Sequence, residues 1–401
     1  MLTEFFKNIK GDRTIWAIIG ALAIFSFLPV YSASTNLVYV AGKGTTLGYL
    51  MKHALLLILG LGIVYATHKI PYRYFSGLSV LMLPVVILLL AYTLTQGTVI
   101  DGANASRWIR IPLVGIGFQT STLASVVLMI YVARYLARNK EKRITFKESV
   151  IYLWIPVGFV LALILPANFS TTAISFTMIL LLCFLGGYPL KYLGAILGVG
   201  VLILSLFILT ARVFPDAIKN SRVGTWSSRI ENFVSGESED NYQAEKAKIA
   251  IASGEIYGKG PGKSVQKNFL PQSSSDFIYA IIGEEFGLIG AIMIIILYLG
   301  LLFRLVIIAT KTDTIFGTLL VLGVGLPIIF QAMINMGVAV GLFPVTGQPL
   351  PLISTGGTSI WMTCFAIGIV LSVSAKNQDD KINTVKKELD NPLDILHEAI
   401  G

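Results

Sequence analysis

Long apolar runs alternate with short polar breaks along almost the whole chain. Hydropathy marks ten of them, near residues 14–33, 46–66, 73–95, 119–137, 150–166, 170–187, 189–212, 277–302, 314–337 and 357–376. Each is roughly 17–25 residues long, the length an apolar helix needs to cross a bilayer core. Backbone groups in lipid must bond within their own segment, so the runs predict helices rather than strands. The fifth and sixth are joined tightly through Pro166–Phe169. The pattern predicts an all-α integral membrane protein with a large extracytoplasmic loop between the seventh and eighth helices.

Basic residues orient the spans. Lys7, Lys10 and Arg13 precede the first, Lys69 and Arg73 join the second to the third, and Arg138, Lys140, Lys142, Arg143 and Lys147 follow the fourth. Lys191, Arg304 and Lys311 fall in later connections of the same parity, so the excess of cations puts both termini in the cytoplasm. The 338–356 loop, on the far side, carries no charge. The 213–276 connection is also on that side; it does contain basic residues, but long loops weigh little in this rule. A membrane domain over 1–376 is thus expected, with its outer loop at 213–276, followed by a charged tail at 377–401 that is solvated, partly helical or disordered.

Composition agrees with this picture and narrows it. Hydrophobic residues make up 55% and charged residues 13%, and the mean hydropathy is +0.76, which excludes a soluble domain. The formal charge of +9 would point to nucleic acid in a soluble protein; here it belongs to loops facing anionic lipid. Cys183 and Cys364 both lie in apolar runs, so no disulfide framework is present. The first apolar run is long and follows Arg13, which reads as a retained span rather than a cleaved signal. His53, His68 and His397 are scattered, and neither a metal cluster nor a hydrolytic triad can be drawn.

The polar material gathers in the outer loops, above all in Lys259–Gly287. Asp276 stands where the eighth apolar helix begins, and Glu284 and Glu285 lie inside it; carboxylates at that depth are costly and mark function by default. Helical spacing would put Glu284 on the same stripe as Asp276, and an aspartate there could equally act as an N-cap. Glycines from Gly258 to Gly262, with Lys259, Lys263, Ser264, Gln266 and Lys267, suit phosphate or pyrophosphate, although a solvated tight loop would look the same. The Walker spacing fails, so no nucleotide site is expected. Arg107 and Arg110 bracket Trp108 in the 101–119 loop, either as interfacial anchors or as a phosphate clamp beside an aromatic platform. Thr346–Ser359 is broken by prolines and paired glycines, a kind of backbone tolerated at membrane depth only when buried or lining a cavity. Residues 242–251 read as a short amphipathic helix on the outer membrane surface.

Taken together, these motifs resemble the SEDS proteins (shape, elongation, division and sporulation), over about residues 12–373. The likeness is densest at Arg107–Arg110, at Arg229-Ile230 with Phe233, and at Tyr242-Gln243. It continues through Gly258-Lys259-Gly260, Ser264–Lys267, Leu270-Pro271, Asp276–Ile278 and Gly283–Glu285, and ends in Pro349–Pro351 with Ser354, Gly356, Gly357 and Ser359. The Ser264–Lys267 run favours the division branch over the elongation branch. The resemblance implies a multi-pass enzyme of the bacterial inner membrane, a peptidoglycan glycosyltransferase that polymerises lipid II with undecaprenyl pyrophosphate as leaving group. It implies Asp276 as the catalytic residue, with Arg107, Trp108, Arg110, Arg229 and the glycine–lysine, glutamate and Ser354–Ser359 positions toward substrate. It also implies a divalent cation, magnesium or manganese, with no legible ligand set. The implied partners are a class B penicillin-binding transpeptidase and other division proteins. The sequence departs from the family pattern at Thr120, Thr122, Ser125, Asn168 and Gln272, where charged or otherwise distinctive residues are usual. A lipid flippase, an elongation-type polymerase and a non-catalytic scaffold are the alternatives.

Overall fold

The computed structural model describes residues 10–41, 44–96, 108–110, 117–142, 144–213, 239–270 and 272–390. Each of the ten apolar runs coincides with a helix. In chain order these are α1 (Arg13–Ala41), α2 (Thr46–Thr67), α3 (Arg73–Gln96), α4 (Thr120–Arg138), α5 (Phe146–Ile164), α6 (Phe169–Leu185) and α7 (Leu190–Val213). After α8 (Glu239–Ser253) come α9 (Ile278–Thr310), α10 (Ile315–Ala339) and α11 (Gly357–Asp390). Eight are long and apolar enough to cross a membrane, and α6 and α7 supply the shorter apolar stretches Phe169–Leu185 and Leu190–Ile203. A two-stranded hairpin, β1 (Trp108–Arg110) against β2 (Gly117–Gln119), pairs Trp108 with Gln119.

The helices start where a side chain can take an orphan N–H. Thr45, Asn168 and Thr314 accept from the amides of Gly48, Thr171 and Gly317 at 3.1, 3.2 and 3.2 Å. Within α5, Val150–Trp154 widens into a π turn just ahead of Pro156. Proline has no N–H for the carbonyl of Tyr152, and the hydroxyl of Tyr131 on α4 bonds that carbonyl instead.

α10 is central, packing on α4, α6, α8, α9 and α11. One apolar core joins α1, α2, α9, α10 and α11; a second joins α3 to α6, and Phe316 and Leu322 of α10 pack against both. The perimeter stays apolar: Leu190, Leu202, Leu288 and Phe303 are all more than half exposed, as lipid-facing positions must be. At one end of the bundle Asp12 caps α1 and takes both Nε and Nη2 of Arg304 from α9, while Gly11 and Gln378 exchange hydrogen bonds at 3.3 and 3.2 Å. The first and last spans therefore begin and end at the same end of the bundle. α11 passes the expected limit of the last span at 376 and continues unbroken to Asp390. The surface helix expected at 242–251 forms as α8, but it docks on protein: Ala247 and Ala250 are fully buried against α9 and its neighbours.

Candidate active site

The eighth span is broken, and the break organises the polar interruption. Gly287 in α9 sits at φ 65°, ψ −163°, far from helical geometry and open to glycine at little cost. Residues 255–260 bond the backbone groups flanking the break. Lys259 and Gly260 donate to the carbonyls of Glu284 and Glu285 at 3.0 and 2.9 Å, and Leu288 and Ile289 donate to those of Glu255 and Ile256 at 2.9 and 3.3 Å. Only glycine permits this approach. A Cβ on Gly258 would lie 2.2 Å from the Glu285 carbonyl oxygen, at a φ of +78° that disfavours any other residue. Gly258→Ala is accordingly expected to destabilise the protein by about 2–4 kcal/mol, through overpacking and left-handed strain, and to lower its melting temperature in detergent.

The two glutamates complete the same junction. Glu284, fully buried, accepts from Lys259 Nζ at 2.7 Å, from the amides of Val265 and Gln266 at 3.1 Å each, and from the Ser264 hydroxyl. Glu285 accepts from the Ser264 amide at 3.2 Å and from the hydroxyl of Ser32 on α1. Lys267 Nζ reaches Ser32 Oγ at 3.2 Å and the Gly262 carbonyl at 2.9 Å. The expected phosphate cradle is thus a carboxylate cradle, occupied by the protein's own side chains. Lys259, Ser264, Glu284 and Glu285, expected toward substrate, bond one another here: fully desolvated carboxylates need donors, and the loop supplies them. Gln266 contributes its amide to the same junction. Lys263 is exposed on the loop surface.

Asp276 stands apart from this knot. α9 begins at Ile278 with Phe277 at the cap position, so Asp276 lies one residue ahead of the cap and does not share a helical stripe with Glu284. It is half-buried in a series of turns, 272–277, that is stitched to the 346–359 loop. Asn335 of α10 donates to the carbonyls of Asp276 and Gln348, both at 2.8 Å. Ser354 donates to the Ser275 carbonyl and accepts from the Leu350 amide at 2.7 Å, and Thr355 bonds the Ser274 carbonyl through both N–H and hydroxyl at 2.9 Å. A Cβ on Gly347, at φ +67°, would lie 3.5 Å from Asp276 Oδ2, so the carboxylate rests beside a bare backbone. Leu352 holds φ +64°, a strained value for leucine sustained by its burial. Ser354 therefore holds the Asp276 segment through its backbone.

Below the loop lies a cavity of about 90 Å³ between α4, α6, α10 and α11. Its polar lining includes Thr122, Ser125, Gln331, Gln348, Ser359 and Thr363. Ser125 Oγ is 2.9 Å from Ser175 Oγ, and Gln348 donates to Thr171 Oγ1 at 3.1 Å. Two of the family departures, Thr122 and Ser125, thus face a neutral, hydroxyl-lined chamber, while Asn168 is spent on capping α6.

Of the remaining expected residues, Ser359 lines the cavity, and Gly356 and Gly357 are half-buried at the start of α11. Trp108 is half-buried on the hairpin, which Thr358 ties to the same loop by accepting from the Gln119 amide at 3.1 Å and donating to the Gly117 carbonyl at 3.0 Å. Arg107, Arg229 and the side chain of Arg110 lie outside the described residues. Among the described residues no group of three or more His, Cys, Asp and Glu could hold a metal ion. Sequence reasoning missed Gln331 and Asn335. Two amides four residues apart in an apolar span share one helix face, and that was the available signal.

Comparison with known proteins agrees with this architecture. The family model described as Cell cycle protein, which groups FtsW, RodA and SpoVE, matches residues 12–379. The "Probable peptidoglycan glycosyltransferase FtsW" of Hydrogenovibrio crunogenus is 32% identical over 90% of this chain and 91% of its own length. The protein of the same name from Enterococcus hirae is 31% identical over 95% and 96%. Among solved structures, a chain of a peptidoglycan synthase complex that coordinates polymerization and crosslinking superposes with a TM-score of 0.70 at 24% identity, covering 92% of this chain and 98% of that one. Thermus thermophilus RodA, the rod shape determining protein, gives 0.65 at 24% identity, with 92% and 97% covered. With a family match running from the cap of α1 into the far end of α11, and with the same fold in its solved relatives, the chain belongs to the SEDS family of FtsW, RodA and SpoVE.

Proposed function

We propose that this protein is a peptidoglycan glycosyltransferase of the bacterial inner membrane, that it polymerises lipid II on the outer face, and that Asp276 is its general base. The observation that carries the reading is the fixation of the Asp276 turn: Asn335, Ser354 and Thr355 hold three consecutive carbonyls, those of residues 274 to 276, so the carboxylate is carried on rigid backbone. In the reaction an acceptor sugar hydroxyl gives its proton to Asp276 as its oxygen bonds to the anomeric carbon of the donor. The bond from that carbon to the pyrophosphate oxygen breaks, and undecaprenyl pyrophosphate leaves with the electron pair. A retaining route needs a second carboxylate roughly 5 Å away. The nearby glutamates are committed to the loop, which favours inversion by direct displacement. Cationic groups in the outer loops, Arg107, Arg110 and Lys263 among them, would balance the leaving charge. Both termini are then cytoplasmic; the division-type Ser264–Lys267 run favours septal synthesis, and the solved synthase complex that couples polymerization to crosslinking favours a class B penicillin-binding transpeptidase as partner.

The test is polymerisation of lipid II by the detergent-solubilised protein, where no two compartments exist. Glycan product supports the enzyme; lipid translocation in vesicles without product from the solubilised protein would identify a flippase instead. A chelator arm decides whether a divalent cation takes part. Asn335→Leu, which leaves two buried carbonyls without their donor, should lower kcat at least tenfold with little change in KM and cost about 2–4 kcal/mol of stability. A rise in KM alone would argue against positioning.

A further inference from the structure

We propose that a second ligand site lies at the end of the bundle opposite Asp276, and that it takes the anionic phosphodiester headgroup of a membrane phospholipid. The start of α4 is tied through Gln119 and Thr358 to the loop that holds Asp276. Its other end, Arg138, lies 19 residues along the helix. At 1.5 Å per residue that is roughly 28 Å away.

There a cavity of about 460 Å³ opens between the end of α4, residues 139–142 and 144–145 that follow it, and the turn from α6 into α7. Lys140 and Lys142 enter it from one connection and Lys191 from the other. Lys140 Nζ donates to the Gly186 carbonyl at 3.2 Å and stands directly over Gly187, whose φ of +77° makes the sharp turn that opens the space. No ion pair joins these lysines to a carboxylate among the described residues. Neither Glu141 nor Glu148 lines the cavity; Glu148 accepts from the hydroxyl of Thr145 at its edge at 2.8 Å. Three lysines lining one cavity, none of them in an ion pair with a described carboxylate, call for an anion, and phosphate is the anion that such basic pockets at helix ends accept.

Two further observations favour a lipid over a free ion. Tyr192 is half-buried at the rim with Lys191 Nζ 4.8 Å from its ring centre, and it packs edge-on against the buried Tyr188, whose hydroxyl accepts from Trp154 Nε1 at 3.1 Å and donates to Ser149 at 2.7 Å. A tyrosine at such a rim sits at headgroup height. Phe184, Leu185 and Leu190, on the same turn, are 55%, 44% and 66% exposed, forming an apolar track on which acyl chains can lie while the phosphate meets the lysines. A free phosphate would use the lysines and leave this track unused.

The experiment titrates the full chain in detergent with short-chain phosphatidylglycerol, with phosphatidylcholine of the same chains, and with inorganic phosphate, reading binding by native mass spectrometry and by the shift in melting temperature. Phosphatidylglycerol should bind at least tenfold more tightly than either other probe. The Lys140→Ala/Lys142→Ala/Lys191→Ala variant, altered only at exposed positions, should lose about tenfold to a hundredfold of that affinity. Phe184→Ser/Leu190→Ser should weaken phosphatidylglycerol but not phosphate. Asp276→Asn should bind phosphatidylglycerol like the wild type, which separates this site from the one that handles the lipid-linked donor. Undiminished binding by the lysine variant, or equal binding of both phospholipids, would overturn the proposal. Phosphate binding as tightly as phosphatidylglycerol would overturn the lipid assignment.

Discussion

Asp276→Asn is expected to cut lipid II polymerisation by about two to four orders of magnitude, the contribution of a positioned general base. The asparagine keeps the size of the residue but cannot take the acceptor's proton. The backbone contacts of the segment do not depend on the substitution. If Asp276 capped α9, its loss would remove about 0.5–2 kcal/mol of helix stability, and a fall in activity could be ascribed to misfolding. Phe277 is the cap residue, with no side-chain cap bond, and the Asp276 backbone is held by Asn335 whatever the side chain. Glycan chain formation by the purified variant, read on a gel beside its melting curve, decides the matter. A folded variant that polymerises at the wild-type rate would remove Asp276 from the mechanism and leave the scaffold reading as the better one.

The second large effect belongs to Glu284, and it is of another kind. Glu284→Ala removes the acceptor for Lys259 Nζ, for the Ser264 hydroxyl and for the amides of Val265 and Gln266. Breaking a buried charged pair costs about 3–5 kcal/mol; because the Lys259 side chain keeps 34% of its exposure, water recovers part of that, and about 2–4 kcal/mol is the expected loss. The loop over the break in α9 should loosen first, seen as faster amide exchange at 259–268 and a lower melting temperature. Lys259→Ala should move in the same direction by less, since the two amides and the hydroxyl remain to satisfy the carboxylate. If either variant melts like the wild type and loses only activity, the glutamate and lysine face substrate after all, as the sequence alone had led one to expect.

Those two residues show where sequence reasoning reached its limit. Asp276, Glu284 and Glu285 all looked costly, and the two glutamates are indeed fully enclosed. A pattern of costs does not say what offsets them. For Glu284 and Glu285 the donors come from residues about 20 positions earlier and from Ser32 on α1, brought together only because glycines let a loop lie against a broken helix. The glycines of that loop were legible as a need for close backbone approach; that the approach was to the protein's own helix rather than to a phosphate was not. Asn335 and Gln331 carried a visible helical spacing, yet their targets, the carbonyls of Asp276, Gln348 and Pro349, lie in segments that share no periodicity with α10.

By itself the sequence determined the membrane class, the ten apolar helices, the parity of the basic connections and the family. Each of these depends on local composition over about twenty residues, set by the thickness of the hydrocarbon and the need to bond every backbone group within it. It also singled out Asp276. Only the tertiary structure showed that Glu284 and Glu285 meet the protein's own donors while Asp276 lies on a separate turn. That division depends on hydrogen-bond partners converging from α1, the 259–268 loop, α10 and the 346–359 loop, and a desolvated charge takes its role from the donors around it, not from its place in the chain.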